Sequence, residues 1–102
     1  MVFVELPAFT RRLFDLLDDE SFQGLQVYLV TRPDAGKMIP GGKELRKVRW
    51  AAKGHGKRGG ARIIYLLRTA EGQIILARLY AKNEREDLSP AELKAVIREI
   101  GL

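Results

Sequence analysis

Lys53, His55, Lys57, Arg58 and Arg62 fall within one ten-residue stretch, Lys-Gly-His-Gly-Lys-Arg-Gly-Gly-Ala-Arg, together with four glycines and the only histidine of the chain. Glycine lets a backbone approach a ligand closely, and densely packed cations are unfavourable unless an anion sits among them. Further along, Arg78, Tyr80 and Lys82 alternate through an apolar run and would share one face of a strand. These residue types suit the cleavage of an RNA strand. A base must take the proton of a ribose 2′-OH, whose oxygen attacks the adjacent phosphate in line. An acid must protonate the leaving 5′-oxygen, and cations must hold the added charge on phosphorus. Histidine at its usual pKa serves as base or acid, and a lysine crowded by cations loses its proton more readily than in water. Arginine is the natural phosphate clamp, because its planar fork binds two oxygens at once.

Other chemistries fit less well. A nucleotide-binding P-loop requires Gly-x-x-x-x-Gly-Lys-Ser/Thr, and Arg58 stands where the hydroxyl should be. A lone histidine argues against a metal site, and no cofactor is expected. No serine or cysteine nucleophile accompanies His55 in a recognisable pattern. Glu84, Glu86 and Asp87 read as a solvated approach to the last helix. Plainer readings stand beside the catalytic one. His55 in a glycine-rich loop is equally an exposed side chain, Tyr65 and Tyr80 read as core-edge residues, Tyr65 more so, and Trp50 reads as a core residue rather than a base-stacking surface. Lys47 and Arg49 read as residues that attract RNA without touching the reacting centre.

The charge pattern supports a polyanionic partner. Residues 1–30 carry two basic and five acidic side chains, residues 31–68 eleven and two, and residues 69–102 five and six, within a net charge of +5. A basic block between mildly acidic flanks predicts one positive face. The absence of cysteine excludes disulfides and thiolate metal sites and suits a reducing compartment. No apolar run approaches the roughly 20 residues that cross a bilayer, and the first residues lack the basic and apolar regions of a signal peptide. The expectation is a cytoplasmic protein with no membrane partner.

The elements that must position these residues are legible in outline. Val2 to Glu5 reads as a strand, and Pro7 suits the first turn of a helix whose buried stripe is Phe9, Leu13, Leu16 and Leu17. A second helix runs from about Glu20 or Ser21 to Thr31, with Phe22, Leu25 and Leu29 inward and Pro33 as its stop. Asp34 to Lys43 is loop-like, with a possible brief edge strand at Met38-Ile39. Leu45 to Trp50 reads as a strand, the glycine-rich loop follows, and Ala61 to Arg68 and Gln73 to Lys82 form a hairpin turning at Glu71-Gly72. On the last strand Arg78, Tyr80 and Lys82 are expected on one face, with Ile75, Ala77, Leu79 and Ala81 on the other. Ser89, Pro90 and Glu92 form a capping box for a C-terminal helix with Leu93, Val96, Ile97 and Ile100 inward, ended by Gly101. One domain spanning 1–102 is expected. Its fold class is α+β, a mostly antiparallel sheet packed against an N-terminal helical hairpin and a C-terminal helix.

Three segments in this order, Leu45-Arg46-Lys47-Val48-Arg49-Trp50, then Gly-Lys-Arg-Gly-Gly-Ala-Arg-Ile-Ile-Tyr, then Leu79-Tyr80-Ala81-Lys82-Asn83-Glu84 ahead of Asp87-Leu88-Ser89, resemble the RelE/ParE superfamily of bacterial toxins, and HigB-type members most closely. The resemblance covers essentially the whole chain. It implies a RelE-like fold and the toxin half of a type II toxin–antitoxin pair. Toxins of this branch enter the ribosomal A site and cut mRNA there, and a cognate antitoxin, here HigA-like, silences them. By position, Lys53 and His55 fall where RelE-like toxins carry catalytic basic residues. Arg62 matches the phosphate-stabilising arginine and Lys82 a basic residue at the end of the last strand. Asn83 stands where RelE has a second arginine, and the late tyrosine of RelE has no counterpart near Ser89, leaving Tyr80 as the substitute. The implied catalytic set is therefore Lys53, His55, Lys57, Arg62, Tyr80 and Lys82, with Arg46, Lys47, Arg49, Arg58, Arg78 and Asn83 as contacts to RNA or ribosome. The alternatives are a ParE-like gyrase poison without nuclease activity and a non-toxic basic RNA-binding module.

Overall fold

A computed structural model describes residues 1–52 and 56–102, with side chains outside residues 52–59. Strand β1 (Val2–Glu5) leads through Leu6 into helix α1 (Pro7–Leu16), and α2 (Asp19–Thr31) folds back beside it. A two-residue β2 (Lys37–Met38) precedes β3 (Arg46–Ala52), β4 (Gly56–Arg68), β5 (Gln73–Ala81) and α3 (Pro90–Ile100). The five strands form one sheet in the order β1-β5-β4-β3-β2. All neighbours are antiparallel except β1 and β5, which run parallel. The expected α+β architecture is therefore present, with the helical hairpin on one face of the sheet and α3 on the other.

The two faces hold separate cores. Against the hairpin lie Phe9, Leu13, Leu17, Leu25, Leu29, Val48, Ala61, Ile63, Tyr65, Ile74, Leu76 and Leu79. Against α3 lie Leu45, Ile64, Leu66, Ile75, Ala77, Tyr80 and Val96. Alternation along β4 accounts for this split, since Ala61, Ile63 and Tyr65 face the hairpin while Arg62, Ile64 and Leu66 face α3.

Strand β5 departs from the expected alternation. The β4–β5 register shifts between Ile64 and Tyr65, which pair with Arg78 and Leu76 and leave Ala77 as an extra residue. This bulge reverses the parity of the strand. Ile75 and Ala77 consequently join Tyr80 and Arg78 on the α3 face, whereas Leu79 and Ala81 stay on the hairpin face. The expected grouping of Ile75 and Ala77 with Leu79 and Ala81 is corrected on this point.

The glycine-rich stretch is less of a loop than its composition suggests. Strand β4 starts at Gly56, and Ala52 pairs with Gly56, with a register irregularity between Trp50 and Ala52. A neighbouring strand that offers partners outweighs the weak intrinsic preference of glycine. The hairpin end is a short 3-10 turn over Thr69–Glu71, closed by Gly72 at φ 63°, a left-handed conformation that a side chain would strain. A few residues before this turn, Tyr65 of β4 is fully buried. Its hydroxyl donates to the Pro33 carbonyl at 2.7 Å and accepts from the Gly36 N–H at 2.9 Å. A Cβ at Gly36 would lie 2.8 Å from the Tyr65 ring, so this close approach requires glycine.

Helix α3 begins as expected, but its capping box is half-made. Ser89 Oγ accepts from the Glu92 N–H at 3.1 Å. The Glu92 carboxylate does not return to Ser89; it pairs with Arg78 and Arg85 instead. Two arginines of the sheet and loop compete more strongly for that carboxylate than one backbone N–H does. Gly101 ends the helix at φ 84°. Asp18, which the sequence pattern does not single out, caps α2 by accepting from Ser21 N–H at 2.7 Å.

Candidate functional site

The ends of β3 and β5 and the start of β4 meet at one edge of the α3 face, and there the sheet turns from apolar to charged. Arg49 of β3, Arg62 of β4 and Tyr80 of β5 stand directly opposite one another across the ladder. Arg49, Trp50, Ala51, Gly60, Arg62 and Lys82 line a cleft of about 200 Å³ at this edge. A larger hollow of about 450 Å³ lies alongside, between the β2–β3 turn and α3, lined by Ile39, Pro40, Leu88, Leu93 and Ile97 among others. Its walls are chiefly apolar, so the smaller, cationic cleft is the candidate for phosphate chemistry.

Arg62 dominates this cleft. It is only 2% exposed, yet among the described residues its guanidinium is thinly partnered. Nη2 approaches the two Glu86 carboxylate oxygens at 3.4 and 3.5 Å, longer than the roughly 2.7–2.9 Å of a strong charge-assisted bond. Nε is buried with no hydrogen-bond partner among the described residues. Five N–H donors make such a group costly to bury unsatisfied. Arg49, exposed beside it, lies 4.0 Å from the same Glu86 oxygen. Like charges directly opposite on a ladder destabilise it by up to about 1 kcal/mol, and the shared carboxylate offsets that repulsion.

The segment between β5 and α3 supplies this carboxylate and is pinned in several places. Tyr80 Oη donates to the Glu86 carbonyl at 3.1 Å, and Lys47 Nζ donates to the same carbonyl at 3.4 Å and to the Asp87 carboxylate at 2.5 Å. Glu84 accepts two bonds of 3.0 Å from Arg12 on α1 and one of 2.8 Å from Ala81 N–H. The Arg12 bond, then the Ala81 bond, holds the Glu84 carboxyl below its ordinary value of 4.5. These three carboxylates are exposed in the approach to α3, as the sequence reading of a solvated helix entry expects, and each also has a cationic partner on another element.

Tyr80 is buried, and the Arg85 guanidinium covers its ring at 4.7 Å from the centroid. Burial, with the nearby Asp87 carboxylate adding to it, pushes its phenol up to about 12. Near neutral pH the hydroxyl is a neutral hydrogen-bond donor and not a base. Lys82 is exposed at the rim of the cleft, with its backbone N–H bonded to the Gly60 carbonyl at 3.0 Å, and Asn83 is exposed beside it.

Not every predicted residue gathers here. Lys53 and His55 lie outside the described residues, as do the side chains of Lys57 and Arg58, whose backbone belongs to β4. Arg46 lies on the hairpin side, where Nη1 donates to the Asp34 and Gly36 carbonyls at 3.2 and 2.8 Å. Arg78 lies deeper on the α3 face and is bound to Glu99 at 2.5 Å, to Glu92 at 3.4 Å and to the Ala77 carbonyl at 2.8 Å. Lys47, Arg49, Arg62, Tyr80 and Lys82 are brought together. Trp50 flanks the cleft, but its indole N–H donates to the Ser21 carbonyl at 3.0 Å and its ring packs 5.4 Å from Tyr28, as befits a core residue. The residue that sequence reasoning missed is Glu86; its only sequence signal is its place in an acidic run directly after the last strand.

A small α+β domain with a buried arginine at a basic sheet edge is a frame suited to handling a phosphodiester. A family model described as the RelE toxin of the RelE / RelB toxin–antitoxin system matches residues 30–101, and the chain belongs to that family. The match spans the strands that carry the cleft, the 83–88 segment and α3. Membership makes the chain the toxin of a toxin–antitoxin pair, with an antitoxin as its partner. No helix among the described residues is long and apolar enough to cross a membrane.

Proposed function

We propose that this toxin is a ribosome-dependent mRNA endonuclease that arrests translation, close in type to HigB toxins and silenced by a HigA-like antitoxin. The observation that carries the reading is the buried guanidinium of Arg62 at a basic edge of the sheet, with its Nε unpartnered among the described residues. A site that only attracted RNA through its surface charge would have no reason to bury an arginine with donors to spare. A site that must hold a phosphate as it gains charge would, because fixed donors in a dry setting need no rearrangement during reaction.

In this reading the message lies along the cleft with its scissile phosphate against Arg62. Lys53 or His55, carried by the three residues between the paired Ala52 and Gly56, takes the proton of the 2′-OH. The 2′-oxygen attacks phosphorus, the bond to the 5′-oxygen breaks, and the leaving oxygen gains a proton from the other basic residue. The chain upstream of the cut retains a 2′,3′-cyclic phosphate. Arg62, Lys57 and Lys82 stabilise the phosphorane-like charge, while Arg49, Lys47 and Arg58 draw the backbone in. Tyr80 acts first as a positioning residue for the 83–88 segment; stacking on a base would require that segment to uncover its ring.

The test is induced expression in growing cells with three readouts. The proposal predicts growth arrest, new mRNA 5′ ends inside coding regions, and loss of those ends when translation initiation is blocked. Intact mRNA accompanied by a DNA-damage response would favour a ParE-like gyrase poison instead, and harmless expression would favour a plain RNA-binding module.

A further inference from the structure

Glu86 sits where the proposed substrate would have to bind. Its carboxylate faces the Arg62 Nη2 at 3.4 and 3.5 Å and approaches the Arg49 Nη2 at 4.0 Å, so one pair of oxygens lies between two arginines that oppose each other across the ladder. A phosphodiester also presents two charged oxygens to such a pair. The fit of the carboxylate is loose: both contacts to Arg62 are long, and Arg62 Nε, buried in a residue that is 2% exposed, has no partner among the described residues. An anion seated deeper than Glu86 could use donors that Glu86 leaves idle. The Glu86 side chain is half exposed, while its backbone carbonyl is held by Tyr80 Oη and Lys47 Nζ. The carboxylate can therefore rotate into solvent about its own side-chain bonds without moving the chain that carries it.

We propose that the Glu86 carboxylate is an internal stand-in for the RNA phosphate, neutralising Arg62 and Arg49 in the substrate-free toxin and yielding its place to an incoming phosphodiester. The inference rests on the reading of this cleft as the phosphate site. Two consequences follow. The carboxylate keeps two facing arginines compatible with a folded sheet when no message is present. It also raises the threshold for binding, so that a loose phosphate or stray single strand competes poorly and a message already held in place by a larger partner competes well.

The experiment is equilibrium binding of a short 2′-O-methyl RNA at low salt, a probe that carries phosphodiesters but no nucleophilic 2′-OH. Four proteins are compared: wild type, Glu86→Gln, Glu71→Gln, and the Arg62→Ala/Glu86→Gln double variant. Glu71 lies on the turn at the far end of β4 and β5, so its substitution makes the same charge change away from the cleft. Thermal unfolding of each confirms that it is folded. The expected result is about fivefold tighter binding for Glu86→Gln, little change for Glu71→Gln, and loss of the gain in the double variant. Equal tightening by Glu71→Gln, weaker or unchanged binding by Glu86→Gln, a gain that survives without Arg62, or no binding by any of the four would overturn it. Because the probe cannot be cut, a failure of mRNA cleavage on ribosomes would count against the proposed activity and not against this result.

Discussion

Arg62 and Arg78 are neighbours on one face of one sheet, both are almost fully buried, and they are partnered in opposite ways. Arg78 is clasped by Glu99 at 2.5 Å and Glu92 at 3.4 Å from α3 and donates to a backbone carbonyl, so its charge is answered on several sides. Arg62 meets one half-exposed carboxylate at long range and leaves Nε unanswered among the described residues. A buried charge is costly, and a protein that only needed to fasten strand to helix would fasten it as Arg78 does. Under the proposed function, the contrast separates an arginine that holds the fold together from one held ready for a phosphate.

That contrast can be broken by exchanging the two losses. Arg62→Ala should leave the protein folded and reduce mRNA cleavage by about 10²–10³-fold, the usual loss when one donor to a developing oxyanion is removed. Arg78→Ala should do the reverse. Removing it takes a buried side chain out of the α3 face and leaves Glu99 without this partner, while Glu92 keeps Arg85; the expected cost is about 1–3 kcal/mol, visible as a drop in thermal midpoint, with cleavage retained at temperatures where the variant is folded. If Arg78→Ala proved as inactive as Arg62→Ala while fully folded, the division between them would fail.

Smaller effects sharpen the same picture. Ser89→Ala removes the cap of α3, the helix that supplies the partners of Arg78, and should cost about 1 kcal/mol in chemical denaturation without altering cleavage. Tyr80 gives a pH signature. Its phenol is raised from 10.0 to about 12 in the folded protein, so the unfolded chain loses that proton first. The stability it contributes is complete below pH 10 and disappears as the pH rises through 12. Ultraviolet titration of the folded protein should show a tyrosine ionising near pH 12 that is missing in Tyr80→Phe. Ionisation of that tyrosine near pH 10 would mean that its ring is not buried beneath the 83–88 segment.

Much of the frame is legible in the sequence alone. Helix α3 announces itself through Ser89, Pro90 and Gly101, because caps and stops are local effects of a few adjacent residues. The helical hairpin and the hairpin of β4 and β5 follow from periodicity, which burial enforces along a single element. What escaped depends on contacts between distant parts of the chain. The bulge at Ala77 reverses the faces of β5, and no residue type marks it, since alanine suits either parity. The extension of β4 back to Gly56 reflects pairing with β3, which overrides glycine's reputation as a loop former. Half of the capping box was lost because Glu92 found Arg78 and Arg85, one on a strand and one in the preceding loop. Arg62 was recognisable as a candidate from its neighbours and from family resemblance, but its burial was not. The role of Glu86 is hidden for the same reason: its sequence reading is a solvated acidic run, and only the fold brings it over two arginines 24 and 37 positions earlier.

The most direct test of the account is the yield of cut message in a reconstituted translation reaction programmed with a single defined mRNA, comparing wild-type toxin with Arg62→Ala and Arg78→Ala at a temperature where all three are folded. The account predicts cleavage by the wild type and by Arg78→Ala, dependent on ribosomes, and almost none by Arg62→Ala. Equal cleavage by the wild type and Arg62→Ala would contradict it.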